Sequence, residues 1–190
     1  QTNQVGSFQI PESVTRVNNY IGRSSESSGN YADMLLDNFA IWSSPRTASQ
    51  LLADMNAPLV TDEFGQLPID VVGYWNFDES SSLYSYDESL FERAAALGAG
   101  VQDHQPQRVM YTSGGDNSFD GVDDHVVIPD TAVTTVDSAL TIATWVYIDE
   151  EPASGAISIL ANKEVEYELA IWHDRSIRFA IANTSPGWYW

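Results

Sequence analysis

Carboxylates on Gly-punctuated turns are the side chains of this chain best placed to do chemistry. Asp116, Asp120, Asp123 and Asp124 fall in one acidic stretch, and Asp78, Glu79 and Asp37 stand in two others. Calcium takes about six to eight oxygens, drawn from carboxylates and from backbone carbonyls freed by bends. Gly114, Gly115 and Gly121 supply such bends. The spacing does not follow an EF-hand loop, so the same carboxylates are equally suited to accepting backbone N–H groups within their turns.

A second acidic set is Glu164-Val165-Glu166-Tyr167-Glu168. On a strand the three glutamates would share one face and Val165, Tyr167, Leu169 and Ile171 the other. Trp172 would then lie on the glutamate face, where a flat indole could stack on a sugar ring while carboxylates bind hydroxyls. Trp188, Tyr189 and Trp190 offer further rings, whereas Trp75 and Trp145 read as core. His104, His125 and His173 are scattered and lack metal-ligand spacing. No serine–histidine–acid order, phosphate-binding loop or dinucleotide fingerprint is present, so the sequence supports neither nucleophilic nor nucleotide chemistry.

The 190 residues carry 27 acidic and 8 basic side chains, for a net charge of -19. Such a surface is a poor partner for nucleic acid or anionic membrane. It is suited to solubility or salty surroundings, and to collecting divalent cations. With 43% hydrophobic and 12% aromatic residues the chain has the means to bury a core. It has no cysteine, which removes disulfides and thiolate chemistry. No apolar run is long enough to span a bilayer, so no membrane insertion is expected. The opening Gln1-Thr2-Asn3-Gln4 has neither an initiator Met nor a signal-peptide core, and the chain reads as a piece of something larger.

The elements that must position these side chains are mostly strands. Residues 17–23 and Met34–Trp42 read as strands, with the polar loop Ser24–Asn30 between them. Pro45 and the capping-box pair Thr47 and Gln50 start a short helix carrying Leu51, Leu52 and Met55, which ends near Asn56 and Pro58. Residues 59–70 serve as a connector. Strands follow at Val71–Phe77, Phe119–Ile128, Ala139–Ile148, Ile157–Leu160, Val165–Trp172 and Ile177–Ile181, the last two joined by a hairpin turn at His173–Ser176. The run Ser89–Gly100, with three consecutive alanines, reads as a helical turn or two. The expected fold is all-β, an antiparallel β-sandwich with one short helix.

The wording of several segments resembles laminin G-like modules, which are concanavalin A-like jelly rolls. Phe119-Asp120-Gly121-Val122-Asp123-Asp124-His125-Val126-Val127-Ile128-Pro129 followed by Leu140-Thr141-Ile142-Ala143-Thr144-Trp145-Val146 resembles an early part of the module, and Val71–Glu79 resembles its first strand, "vgyWpFDE". Tyr20-Ile21-Gly22-Arg23 and Leu36–Trp42 resemble its closing "YIGR" and "IDEVRIY" strands. The chain therefore runs module end first: residues 1–58 as the C-terminal part of one module, 59–70 as linker, and 71–190 as the N-terminal part of a second. Tandem modules explain this order better than circular permutation, because the family's W-x-H-[VI]-A and "YVNG" strands are not found. One sheet is accordingly expected to present an unpaired apolar edge and to recruit partners.

The resemblance implies a non-catalytic extracellular binding or adhesion module with a glycan or protein ligand, part of a secreted or surface protein. It also implies one calcium tying first and last strands together, held by Asp78, by Asp120 or Asp123, and by Asp37. Under tandem organisation Asp37 belongs to a different site from the others. Two readings of other classes compete. One is a structural subunit that completes its sandwich with neighbouring copies of itself and so builds a fibre. The other is a glycoside hydrolase, since Glu164, Glu166 and Glu168 resemble the E-x-D-x-E strand of family-16-type glucanases, with Glu166 in place of Asp.

Overall fold

The ten-residue strand Asp33–Trp42 is hydrogen-bonded along both edges, and the rest of the molecule is arranged around it. The computed structural model describes residues 16, 18–25, 30–55, 57, 59–111, 114–131, 135, 138–148, 150–183 and 187–189. Its elements run β1 (Asn19–Ile21), β2 (Asp33–Trp42), α1 (Ala48–Asp54), β3 (Val71–Trp75), β4 (Tyr84–Ser85), β5 (Ala95–Leu97), β6 (Gln107–Tyr111) and β7 (Gly114–Asp120). They continue with β8 (Val126–Val127), β9 (Thr141–Ile148), β10 (Ile157–Lys163), β11 (Tyr167–Trp172), β12 (Ile177–Asn183) and β13 (Gly187–Tyr189).

Two antiparallel sheets form a jelly-roll sandwich. One has eight strands in the order β13-β12-β11-β10-β1-β8-β5-β4, and the other has five. In the five-stranded sheet β9 pairs with one edge of β2, while β7 and β3 divide the opposite edge between them and β6 flanks β7. Residues assigned to a module's end and residues assigned to a module's start thus share both sheets. β1 lies between β8 and β10, and β2 between β9 and β3/β7.

Alternation decides which side chains fill the interior. Met34 and Leu36 point inward, and a bulge between Asp37 and Ala40 shifts the phase so that Phe39 and Ile41 do so next. Asn38 absorbs that bulge at φ 53, a conformation Asn tolerates better than most residues. With Ile21, Trp75, Phe77, Phe119, Val126 and Leu160 these residues form one core between the sheets. Fully burying a side chain of the size of Phe39 or Phe119 contributes about 2–3 kcal/mol. A smaller apolar cluster of Ala40, Trp42, Val71 and Tyr74 lies on the outer side of the five-stranded sheet, and Leu67 from the connector covers it.

Three expectations change. The alanine run is strand β5, not helix: Ala95 and Leu97 are buried and pair with β4 and β8, so burial overrides alanine's helix propensity. The segment Phe119–Ile128 is not one strand but a crossing between sheets, β7 leading through a turn to β8 in the opposite sheet. The helix α1 has the foreseen capping box, yet it buries no residue, and Leu52 and Met55 are exposed. Its expected end at Asn56 and Pro58 falls outside the described residues.

Candidate functional site

The four metal-ligand candidates separate into two groups. Asp120 and Asp116 sit four residues apart on β7, about 13 Å at strand rise, so one ion cannot bridge the two ends. Asp37 and Asp78 belong with Asp116, and Asp120 and Asp123 belong with Asp124.

The first group gathers where β2, β3 and β7 meet on the outer side of the five-stranded sheet. Asp37 projects there from the β2 bulge, and its carboxyl is pushed up to about 6, by burial first and by the charge of Asp116 next, with Asp78 adding to it. Burial likewise raises Asp116. Asn38 donates its amide to Asp37 Oδ2 at 2.5 Å, and the Tyr74 hydroxyl donates to Asn38 Oδ1 at 2.5 Å. Burial and the carboxylates of Glu88, Asp37 and Asp78 push that phenol up to about 12, so it remains a donor. Asp78 Oδ1 accepts the Gly115 N–H at 2.7 Å, and a Cβ on Gly114 would lie 2.7 Å from the same oxygen, so glycine there lets β7 approach. Asp37 Oδ1 is shielded from solvent without a hydrogen-bond partner. Among the described residues no cation pairs with Asp37, Asp78 or Asp116. The three carboxyls form a patch of uncompensated negative charge, of the kind a hard cation such as calcium would neutralise, although their oxygens are not drawn within 4.8 Å of one another as those of Asp120, Asp123 and Asp124 are.

The second group is the β7–β8 turn. Ligand oxygens of Asp120, Asp123 and Asp124 lie within 4.8 Å of one another. These carboxylates are already engaged: Asp120 Oδ1 accepts the Val122 N–H at 2.9 Å, and Asp124 Oδ2 accepts the Asp120 N–H at 3.1 Å. Burial, then Asp120, pushes Asp124 up to about 6. Asp123 faces His104 at 3.7 Å. The turn reading of these carboxylates therefore has direct structural expression, and Asp116, not Asp120 or Asp123, is the partner Asp37 finds.

The three glutamates do not share a strand face, which corrects the sequence reading. Glu164, Val165 and Glu166 make the β10–β11 turn, with Val165 at φ 52, so only Glu168 lies on a strand. Glu166 is fully buried, 3.0 Å from Lys163 and 3.2 Å from Arg16, and Lys163 also meets Asp130 at 3.4 Å. Glu164 accepts from Asn18 at 2.8 Å, and Glu168 accepts from Asn162 at 2.7 Å. A turn wins over a continuous strand because the lone lysine of the chain compensates Glu166 inside. Trp172 stays on the outer face of β11 with Glu168, and the Arg178 guanidinium lies 3.7 Å from its ring centre. Of the other rings, Trp190 lies outside the described residues, and Trp145 is exposed on β9 rather than in the core.

Sequence reasoning missed a cluster on the outer face of the eight-stranded sheet. Tyr20 of β1 points there beside Asn162 of β10. Arg23 lies over the rings of Tyr20 and Tyr31 at 4.6 and 5.4 Å, and His125 meets Tyr20 edge-on at 5.9 Å. Burial lowers the His125 pKa, keeping its ring neutral at pH 7. The spacing of Tyr20 and Arg23 across Gly22 was readable, but Tyr31 and His125 come from other turns. A recess of about 580 Å³ opens between the edges of β4 and β6, lined among others by Ser81, Ser82, Gln102, Gln105 and Gln107.

Residues 120–190 match the family model described as the concanavalin A-like lectin/glucanases superfamily, a laminin G family. That part of the chain is similar to this family. The matched part starts at the β7–β8 turn and holds β8 through β13, whereas Asp37 and Asp78 lie before it. No curated protein and no solved structure matches the chain. Among the described residues no helix is long and apolar enough to cross a membrane.

Proposed function

We propose that this chain is a non-catalytic binding or adhesion module of a larger secreted or surface protein, stabilised by calcium and taking a glycan or protein ligand. The calcium part rests on the carboxyl-rich patch of Asp37, Asp78 and Asp116, where burial first and neighbouring carboxylate charge next raise Asp37 and Asp116, and in which one Asp37 oxygen has no hydrogen-bond partner. A cation there would join β2 to β7 and to the loop after β3, so binding would add to the stability of the folded state alone. The laminin G-like match of residues 120–190 supports a binding role. The half-exposed Tyr20, Tyr31 and Trp172, each with an arginine against one ring face, and the amides, hydroxyls and Arg108 of the β4–β6 recess offer rings and hydrogen-bonding groups to a hydroxylated ligand. The hydrolase reading loses its motivation, since Glu166 is buried in ion pairs and Glu164 lies on a turn. Calorimetric titration of the metal-free protein with calcium, followed by a glycan array with and without calcium, tests both halves. Absence of calcium heat together with an unchanged melting temperature would remove the cofactor, and a blank array would leave a protein ligand as the binding reading to pursue.

A further inference from the structure

The five-stranded sheet stops one or two strands short of the sheet that faces it. β9 is bonded to β2 from Met34↔Ile148 to Trp42↔Thr141, and among the described residues no strand pairs with its other edge. Its inward side chains Ile142, Val146 and Ile148 pack into the core with Leu169 and Ile171 of β11. Beyond β11, the facing sheet continues through β12 and β13, about 10 Å further. The registers Leu169↔Phe179 and Ile171↔Ile177 put Phe179 and Ile177 on that same inner face, yet they are 41% and 62% exposed. Two apolar side chains that the alternation aims at a core have no core above them.

The same edge bears a second apolar patch. On the outer face of β9, Trp145 and Tyr147 are 48% and 64% exposed. Both patches lie at one end of the sandwich. Ile177 stands beside Ile171, which pairs with Ser158, and the neighbouring Ile159 N–H bonds Asn30 in the loop that leads into β2, where Met34 faces Ile148. At the opposite end, the outer face of β9 is covered around Ala143 by the Leu67 cluster.

We propose that this edge is one half of a two-fold interface with a second copy of the chain. A two-fold axis along the free edge of β9 sets two β9 strands side by side and parallel. It turns the second copy over, so that its outer-face Trp145 and Tyr147 come down on the exposed Ile177 and Phe179 of the first, and the reverse. An axis perpendicular to the sheets is excluded, because it drives both overhanging β12–β13 pairs into the same space. Burying the exposed parts of these four side chains in both copies removes roughly 1,000 Å² in total, the lower limit for a specific interface, and leaves the two backbone edges to water. Association is therefore weak and concentration-dependent. Each copy carries a net charge of -19, so screening salt strengthens the dimer instead of weakening it.

Sedimentation velocity of the 190-residue chain between about 1 and 200 µM, at low salt and near 0.5 M salt, reads this directly. The expected result is a monomer–dimer equilibrium shifted towards dimer at high salt. Tyr147→Lys and Phe179→Glu, both at exposed positions, each abolish the dimer with unchanged circular dichroism. Mixing the two variants restores a heterodimer, because the ammonium introduced on β9 of one copy then meets the carboxylate introduced on β12 of the other. A monomer at every concentration and salt overturns the proposal and leaves the edge to a different occupant. A dimer that tolerates both variants also overturns it, as does a mixture that fails to recover.

Discussion

Asp37 and Asp78 share one carboxyl-rich patch, although one stands in the segment that resembles a module's end and the other in the segment that resembles its start. β2 brings them together, because β3 pairs with its second half, Phe39↔Trp75, and the chain leaves β3 directly into Asp78. A cation at this point would add a further link between three pieces of chain already joined by sheet pairing, by the Gly115–Asp78 and Tyr74–Asn38 hydrogen bonds and by the core.

Calcium is expected to raise the melting temperature of the metal-free protein, and chelation to reverse the rise. In Asp37→Asn/Asp78→Asn the increment disappears, while in Asp123→Asn it persists, because the Asp120–Asp124 turn is a separate group. Scanning calorimetry with and without calcium checks this, and equal increments in both variants would place the ion elsewhere.

Without calcium, stability should fall as pH rises from about 4, the ordinary carboxyl range, through about 6. Burial first, and neighbouring carboxylates next, push the carboxyls of Asp37 and Asp124 up to about 6. A group whose pKa is higher folded than unfolded binds its proton more tightly in the folded state, so the advantage is present at low pH and is lost as pH rises through about 6. Calcium favours the ionised Asp37 and should flatten the trend. Melting temperatures across that range, for wild type and Asp37→Asn, give the comparison: the variant should show the shallower slope.

Lys163→Met should destabilise the fold by about 3–5 kcal/mol, since removing one partner of a buried pair leaves a buried charge uncompensated. Lys163 is buried and lies 3.0 Å from Glu166, which would keep the Arg16 guanidinium at 3.2 Å but lose the ammonium. The double change Lys163→Met/Glu166→Gln should recover a large part of the loss. Urea denaturation of the set measures both, and a loss under about 1 kcal/mol in the single variant would show that Arg16 suffices.

Gly22→Ala should cost more than the roughly 1 kcal/mol of a left-handed backbone strain, by a second, steric contribution. Gly22 holds φ 87, and a Cβ there would come 2.6 Å from the Phe119 ring. A stability change within experimental error would mean that Phe119 can move aside, which its complete burial argues against.

The sequence was most readable where one local rule settled the matter. Thr47 and Gln50 announced the helix start, and the alternation in Met34–Trp42 and Thr141–Ile148 announced strands. It was least readable where tertiary context decided. Nothing local in Phe119–Ile128 reveals that Asp124 and Asp120 fold the chain over from one sheet to the other. Glu166 reads as a surface residue until Arg16, far away in sequence, is seen beside it. Asp116 was noticed as one of an acidic run, but its pairing with Asp37 depends on which edge of β2 receives β7. Among the described residues the outer edge of β9 has no partner strand, while the two segments expected to belong to separate modules pack around a common core.

The central position of β2 also sets a timetable. Its partner β9 ends at Ile148, so the strand that organises the five-stranded sheet cannot be hydrogen-bonded on that edge until more than a hundred further residues have left the ribosome. Until β10 and β11 follow as well, Met34, Leu36, Phe39 and Ile41 are faced only by the part of the opposite sheet that β1, β5 and β8 supply. Contacts of such long sequence separation close slowly. Translation speed and chaperone capture over residues 34–41 should consequently influence yield more than any change in the finished protein's surface.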